Sequence, residues 1–351
     1  MNRKALERHP VVAEDMQTIF DQGADWARFA GKHVVITGAN GFLGAYLVEY
    51  FAWLNEVKLE TAVTIFAVVR NASKLPQRFP HLLGHPWFIP IVQDVCSPLE
   101  LDRVDFIIHA ASPGSPKYYL QDPVGTSRVN VLGTSNLLEL ARRTGARMLF
   151  MSSGAVYGNG DGKESIGEID FGALDPLDHM ACYGEGKRMG ETLCASYQRQ
   201  YGVAAIIARI SHTYGPGVDL HDGRALSDFL VDALAGRDIT LLSDGRSSRP
   251  FCYVADMTAA FVLLLLEGEN GSAYNVGIYQ EMTILEMAQL IARLSPHPGL
   301  EVRHAGAGAQ TKEFRPNGHF DLSKMAALGW QPITSPEIGF SRMVRYFTGL
   351  L

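Results

Sequence analysis

The chain has 351 residues, of which 47% are hydrophobic and 19% charged, so it can bury a substantial core and is neither disordered nor fibrous. A net charge of -6 offers no attraction to nucleic acid or to an anionic membrane surface, and neither is expected as a partner. The 4 cysteines (Cys96, Cys182, Cys194 and Cys252) show no CxxC pairing and no metal-ligand spacing, so reduced thiols and no metal site are expected.

In chain order, "MNRKALERHPVVAEDM" carries charges throughout and lacks the apolar centre of a signal peptide. The longest apolar run, "AAFVLLLLE" at 259–267, is too short to span a bilayer and reads as a buried helix, so a cytoplasmic location is expected. Residues 1–30 read as a helical extension, with apolar residues spaced three and four apart in "VVAEDMQTIFDQGADWARFA". From Lys32 short apolar runs alternate with amphipathic segments. "HVVITG", "TIFAVVR", "FIPIVQD", "VDFIIHAAS", "ARMLFMSS" and "VAAIIARIS" read as strands. "GFLGAYLVEYFAWL", "TSRVNVLGTSNLLELARRTG" and "YGEGKRMGETLCASYQRQYG" read as helices between them. The pattern predicts an α/β fold, a Rossmann-like doubly wound parallel sheet covered on both faces. It is expected over 31–210, with 250–275 returning to it. A smaller mixed α/β substrate lobe is expected from 211–249 and 276–351, where Gly, Pro and Asp-rich stretches loosen the pattern.

"VVITGANGFLGAYLVE" is a strand, a glycine turn and a helix in succession, with Gly38, Gly41 and Gly44 in GxxGxxG spacing. The first glycine permits the tight turn, the second lets backbone approach a pyrophosphate, and the third packs helix on strand. The helix N-terminus then offers free N–H groups and a positive dipole end to phosphate. The nicotinamide dinucleotide site expected here comprises Gly38, Asn40, Gly41, Phe42, Leu43 and Gly44, then Arg70, Asp94, Val95, Ala110, Ala111 and Ser112. The second strand ends in Arg70 rather than the acidic residue that binds the adenosine ribose of NAD; an arginine there either takes a 2′-phosphate, favouring NADP(H) over NAD(H), or is simply solvated. Asp94 suits a contact to the adenine amino group, and the small residues after His109 let a cofactor lie across the sheet.

Tyr183 and Lys187 form a YxxxK pair in "CYGEGKRMGE", downstream of "MSSGAVYG". Four residues apart on a helix, they share a face. An ammonium beside a phenol favours the phenolate and brings the tyrosine pKa down toward working pH, making Tyr183 a usable general acid/base.

With the dinucleotide fingerprint, "SSGAVYG" and YxxxK together, the chain resembles the extended short-chain dehydrogenase/reductases, the nucleotide-sugar epimerase/dehydratase group, over about residues 30–345. The resemblance implies a catalytic set of Ser153, Tyr183 and Lys187. Tyr183 would be the acid/base on a sugar hydroxyl or ketone, Lys187 would also bind the nicotinamide ribose, and Ser153 would hydrogen-bond the reacting oxygen. It implies a nucleoside-diphosphate-sugar substrate, hydride transfer at sugar C4, and a homodimer built on helices near 124–143 and 181–200. Stretches such as "HAASPGSPKYYLQDPVGTSRVNVLGTSNLLELAR", "ARISHTYGPGVDLHDGRALSDFL" and "SSRPFCYVAD" are most similar to UDP-glucuronate decarboxylases. This places Arg224 and Arg249 near the substrate's diphosphate, nucleotide or sugar, each with a surface salt bridge as the alternative. His212 stands where relatives usually have an asparagine, and Ser112, Ser153, Gly154 and Arg315 complete the expected substrate side.

The departures from the family pattern bear on the reaction. Decarboxylases of this kind usually carry a glutamate two residues after the catalytic hydroxyl, and 4,6-dehydratases an Asp-Glu pair; here Gly154 and Ala155 stand there, and neither transfers a proton. The sequence therefore favours C4 chemistry alone, either a 4-epimerase or a 4-keto-6-deoxy-sugar 4-reductase in surface-polysaccharide or related sugar biosynthesis. The alternatives are a UDP-glucuronate decarboxylase or a nucleotide-sugar 4,6-dehydratase and, further off, a non-catalytic NAD(P) sensor.

Overall fold

The computed structural model describes residues 7–158, 163–305 and 319–350. Its centre is a seven-stranded parallel sheet. The strands are β1 (His33–Thr37), β2 (Thr64–Val69), β3 (Phe88–Val92), β4 (Phe106–His109), β5 (Arg147–Ser153), β6 (Ala205–Ile210) and β7 (Ala273–Val276). Their spatial order is β7-β6-β5-β4-β1-β2-β3, so the chain runs outward from β1 to one edge and then from β4 to the other. The point of reversal lies between β1 and β4, where ligands of open α/β sheets bind beyond the strands' carboxyl ends. The central strands are near-continuous apolar runs because helices cover both faces; β3, at the edge, exposes most of its residues and tolerates Pro90.

The longer helices are α1 (Pro10–Asp21), α2 (Phe42–Val57), α3 (Thr134–Thr144), α4 (Ala181–Tyr201), α5 (Ala225–Leu234), α6 (Val254–Glu267), α7 (Ile284–Leu294) and α8 (Pro336–Thr348). The apolar run at 259–267 lies within α6, whose residues are almost all buried, and among the described residues no helix is long and apolar enough to cross a membrane. Among its described residues the N-terminal extension is helical over α1, with a short 3-10 turn at Trp26–Phe29. Asp15 of α1 is fully buried and accepts hydrogen bonds from Tyr46 of α2, Tyr253 and Arg342 of α8, tying the extension to both chain halves. The helix expected across 126–145 is interrupted at Val129–Gly133 by a π turn. Gly133 passes so close to Val95 that a Cβ there would lie 2.8 Å from its Cγ2.

Outside the main sheet the chain forms paired two-residue and three-residue strands: Cys252–Tyr253 with Thr213–Tyr214, Ser248–Arg249 with Met282–Thr283, Val302–His304 with Ile239–Leu241, and His319–Phe320 with Ser165–Ile166. Helix α6 and strand β7 return to the main sheet.

Helix α4 carries Tyr183 and Lys187, and glycines set its distance from its neighbours. A Cβ on Gly190 would lie 2.4 Å from Cζ of the buried Phe150 on β5, and one on Gly186 would lie 3.2 Å from Asn130. Replacing Gly190 with Ala overpacks this seam, where Phe150 has no space to retreat. We expect a loss of about 1–3 kcal/mol in denaturant unfolding and a parallel loss of turnover. A stability within about 0.5 kcal/mol of the wild type would show that the seam can open freely.

Candidate active site

At the end of β1 the backbone turns through Gly38, whose φ of +63 is costly for a residue with a side chain. A Cβ there would also meet Ala111 Cα at 2.8 Å, and one on Gly44 would meet the Gly38 carbonyl oxygen at 2.3 Å. Gly41 is the N-cap of α2 and contributes no side-chain cap, so first-turn amides of α2 face outward with the positive end of the helix dipole. Ala110 and Ala111 close the opposite wall, and Ser112 holds a buried hydroxyl with no hydrogen-bond partner among the described residues. A backbone cradle that admits no Cβ, free helix amides and an unsatisfied hydroxyl fit a pyrophosphate and the ribose of a dinucleotide.

Around this cradle Asn40 donates to the Asn71 carbonyl, while Phe42 and Leu43 pack onto the core. Val95 is buried, and its carbonyl accepts from Asn136. Arg70 is exposed at the end of β2. The Asp94 carboxyl sits below its ordinary pKa, chiefly because it accepts the Cys96 amide and, less strongly, because Arg70 and Arg128 are near. Thr37 and His109 join the ends of β1 and β4 through a 2.8 Å hydrogen bond. Burial, with Lys187 nearby, pushes His109 down to about 3, so it is a neutral imidazole.

Three consecutive residues of β5 face helix α4. Ser153 hydrogen-bonds the Tyr183 phenol, and the Met151 carbonyl accepts from Lys187 Nζ at 2.6 Å. The Lys187 ammonium lies 5.0 Å from the Phe150 ring centroid and 5.8 Å from that of Tyr183. The expectation that Lys187 pulls the phenol down is corrected here. Burial raises the Tyr183 pKa, and the opposing influences are the Ser153 hydrogen bond and the Arg224 charge. Tyr183 therefore rests as a proton donor. Lys187, almost fully buried, is itself pulled down to about 7 by desolvation, against the pull of Glu191.

On the substrate side the structure brings Arg224, Arg249 and His212 into one region. Surrounding protein, then the charges of Arg249 and Arg224, push His212 down to about 4. His212 is nevertheless exposed to solvent, and it is a neutral imidazole. Gly154 has a packing role: a Cβ there would lie 2.7 Å from Cζ of Phe320. Arg315 lies outside the described residues.

Residues that sequence reasoning missed complete the site. The Tyr119 ring stacks on Tyr183 with centroids 5.3 Å apart and planes 11° apart. The segment from Gly114 to Tyr119 is fastened to the loop that carries Arg224. Ser115 Oγ donates to the Asp222 carbonyl at 2.7 Å and Lys117 Nζ to that of His221 at 2.6 Å; Tyr118 bonds Asp219, and Arg224 bonds the Gly114 carbonyl. Tyr119 offered no motif beyond its aromaticity, and these contacts join segments far apart in sequence. Among the described residues no group of three or more His, Cys, Asp or Glu side chains is arranged to hold a metal ion.

The buried lysine yields a prediction with a definite sign. Its folded pKa of about 7 lies below the ordinary 10.5, so the stability it costs is fully lost below pH 7 and recovered as pH rises toward 10.5. Lys187→Met should therefore abolish turnover yet raise unfolding stability by about 1–4 kcal/mol, most at pH 6 and least at pH 10. A variant less stable than the wild type across that range would show that Lys187 is structurally favourable where it lies.

Comparison with known proteins identifies the family. Residues 34–277 match the model of the NAD dependent epimerase/dehydratase family. UDP-glucuronic acid decarboxylase 1 of Xenopus tropicalis is 36% identical over 316 residues, covering 90% of this chain and 72% of the relative. UDP-glucuronic acid decarboxylase 6 of Arabidopsis thaliana is 36% identical over 320 residues, covering 91% and 89%. The UDP-glucose 4-epimerase of Thermotoga maritima, solved with UDP-glucose, shares the fold at a TM-score of 0.77 and 22% identity, over 91% of this chain and 99% of that one. With its Rossmann-like sheet, glycine cradle and Ser153–Tyr183–Lys187 set, the chain belongs to the NAD-dependent epimerase/dehydratase family and is an NAD(P)-dependent extended short-chain dehydrogenase/reductase enzyme that modifies nucleoside-diphosphate sugars.

Proposed function

We propose that the enzyme oxidises C4 of a nucleoside-diphosphate hexuronate such as UDP-glucuronate and then releases the sugar's carboxyl group as carbon dioxide. The observation that carries the first step is the placement of Ser153, Tyr183 and Lys187 beside the glycine cradle. The second step is supported by the relatives named as UDP-glucuronic acid decarboxylases, which favour that alternative over the C4-only chemistry that Gly154 and Ala155 suggested.

A bound nicotinamide supplies the hydride acceptor, and later the donor, at C4. Tyr183 exchanges the C4 hydroxyl proton, and Ser153 hydrogen-bonds the same oxygen. Burial keeps Tyr183 protonated at rest; in the oxidative direction the Lys187 ammonium, 5.8 Å from the Tyr183 ring centroid, stabilises the phenolate as it forms without setting the resting pKa. A ketone at C4 lies β to the C6 carboxylate. Breaking C5–C6 therefore sends the electron pair toward O4, where Tyr183 and Ser153 stabilise the developing oxyanion. This cleavage needs no protein carboxylate; only the later protonation of C5 needs an acid, which water in the cleft provides. Dehydration across C5–C6 is different, because it needs a base for the C5 proton and an acid for the departing hydroxyl. Gly154 and Ala155 supply neither.

Arg224 and Arg249 suit the diphosphate and the uronate carboxylate. We further propose a homodimer, because Val124 (68% exposed), Leu132 (45%) and Met189 (46%) leave apolar surface on the segments around 124–143 and 181–200. A role in surface-polysaccharide sugar supply, in the cytoplasm, belongs to the same proposal.

A second reading, C4 epimerisation or reduction of a 4-keto-6-deoxy sugar, is favoured by the absence of a carboxylate at Ala155, and its reductive form by Arg70 through NADPH. Incubation with UDP-glucuronate, UDP-glucose and dTDP-4-keto-6-deoxyglucose separates the readings. We expect carbon dioxide from the first without net change in reduced cofactor. NADPH oxidation with the third alone would overturn the decarboxylase in favour of the reductase, and tight cofactor binding with no turnover of any sugar would favour a sensor. Tyr183→Phe should lower kcat/KM by about 10²–10⁴-fold while leaving dinucleotide affinity nearly unchanged.

A further inference from the structure

One turn beyond Lys187 on the same face of α4 lies Glu191, which the catalytic set does not use. Its Oε1 accepts from Ser152 Oγ at 2.5 Å and from Arg209 Nε at 3.0 Å, and its Oε2 accepts from Arg209 Nη2 at 2.7 Å. Arg209 is anchored in turn: its Nη1 donates to the Tyr157 hydroxyl at 3.0 Å and to the Glu168 carbonyl at 2.8 Å. The guanidinium is buried on β6, and the carboxylate is largely covered. Residues 183, 187 and 191 of α4 thus each engage a consecutive residue of β5: the phenol with Ser153, the ammonium with the Met151 carbonyl, the carboxylate with Ser152.

We propose that Glu191 is the positioning residue of the Tyr183–Lys187 pair: clamped between Ser152 and Arg209, it fixes the register of α4 on β5 and keeps Lys187 a cation during proton transfer. This rests on the proton-transfer role of Tyr183 proposed above. The groups facing Lys187 are few. On its own helix they are Tyr183, Glu191 and Cys194; from β4 comes His109, held neutral by burial; from β5 come the Phe150 ring and the Met151 carbonyl. Arg209 on β6 is cationic but paired with Glu191. Among the described residues facing Lys187, Glu191 is the one carboxylate. Its removal deletes a favourable charge, which drives Lys187 toward the neutral amine, and takes from the Arg209 cation its carboxylate partner.

The test uses the full chain and two readouts. Glu191→Gln keeps the side chain's shape and removes its charge. Where the unfolded chain binds more protons than the folded one, stability rises with pH. For Lys187 in the wild type this rise begins near pH 7. In the variant it should begin about one pH unit lower or more. The alkaline limb of kcat/KM, measured with whichever nucleotide sugar is turned over, should move the same way by about one unit, with kcat falling more than KM changes. Glu191→Asp retains the charge and should return the limb to the wild-type position. An equal loss at every pH, with both profiles where the wild type has them, would overturn the proposal and leave Glu191 a packing residue. If Glu191→Gln does not fold, Glu191→Gln with Arg209→Met replaces the buried pair without an orphaned charge and carries the same expected shift. If the wild type turns over no nucleotide sugar, the functional reading fails, while the stability titration still decides the role of Glu191.

Discussion

A lysine buried between a helix and a parallel sheet is the constraint on which the rest of the site depends. Burial disfavours the ammonium, and at Lys187 it pulls the pKa to about 7. What keeps the charge is local: a carbonyl at 2.6 Å, the face of Phe150 and a carboxylate one turn away. The first two require α4 to lie close against β5, which Gly190 permits, while Gly186 lets the same helix approach Asn130 of the π turn. A side chain at either glycine moves the helix, and with it Tyr183 relative to Ser153. The glycine-rich stretch "GEGKRMG" is poor in helix propensity because it is shaped for this contact.

The floor of the site is shaped from the far end of the chain. Phe320 occupies the space a side chain at Gly154 would fill, and it packs edge-on against Tyr157 at 5.6 Å between ring centroids. The Tyr157 hydroxyl donates to Asn275 Oδ1 at 2.5 Å, and the Asn275 amide donates to the carbonyls of Ile166 and Asp321. The strand of His319–Phe320 therefore determines that residue 154 is a glycine. This seal removes a possible proton-transfer group from the floor without affecting the hydroxyl set. That is why the missing carboxylates weigh heavily against dehydration and lightly against loss of carbon dioxide from a β-keto acid.

What was legible in the sequence was what short-range spacing encodes. Gly38, Gly41 and Gly44 act within one strand–turn–helix unit, and Tyr183 and Lys187 within one helical turn. The alternation of apolar runs and helices gave the parallel sheet because covered strands lose their two-residue alternation. The short strand β7, "AYNV", carried no such signal, and the π turn at Val129–Gly133 answers to the proximity of Val95, which belongs to another segment. Tyr119 over Tyr183, Phe320 under Gly154 and Arg209 on Glu191 are likewise contacts across long separations. The direction of the Tyr183 shift was misjudged for a related reason. Burial, the dominant influence, depends on the packing of the whole site, whereas spacing revealed only the lysine.

His212 shows how the charge field of the cleft narrows a residue's role. Relatives usually place an asparagine at this position, a neutral group that both donates and accepts. An imidazole could act as a third cation for the diphosphate, but Arg249 and Arg224 already lie close, and their charges with the surrounding protein hold it near a pKa of about 4. At neutral pH it carries one N–H and one free lone pair, the same pairing capacity that an asparagine side chain offers a sugar hydroxyl. Burial first, and the two arginine charges second, keep His212 neutral, and a neutral imidazole is a directional hydrogen-bonding group of the kind that can distinguish one sugar epimer from another.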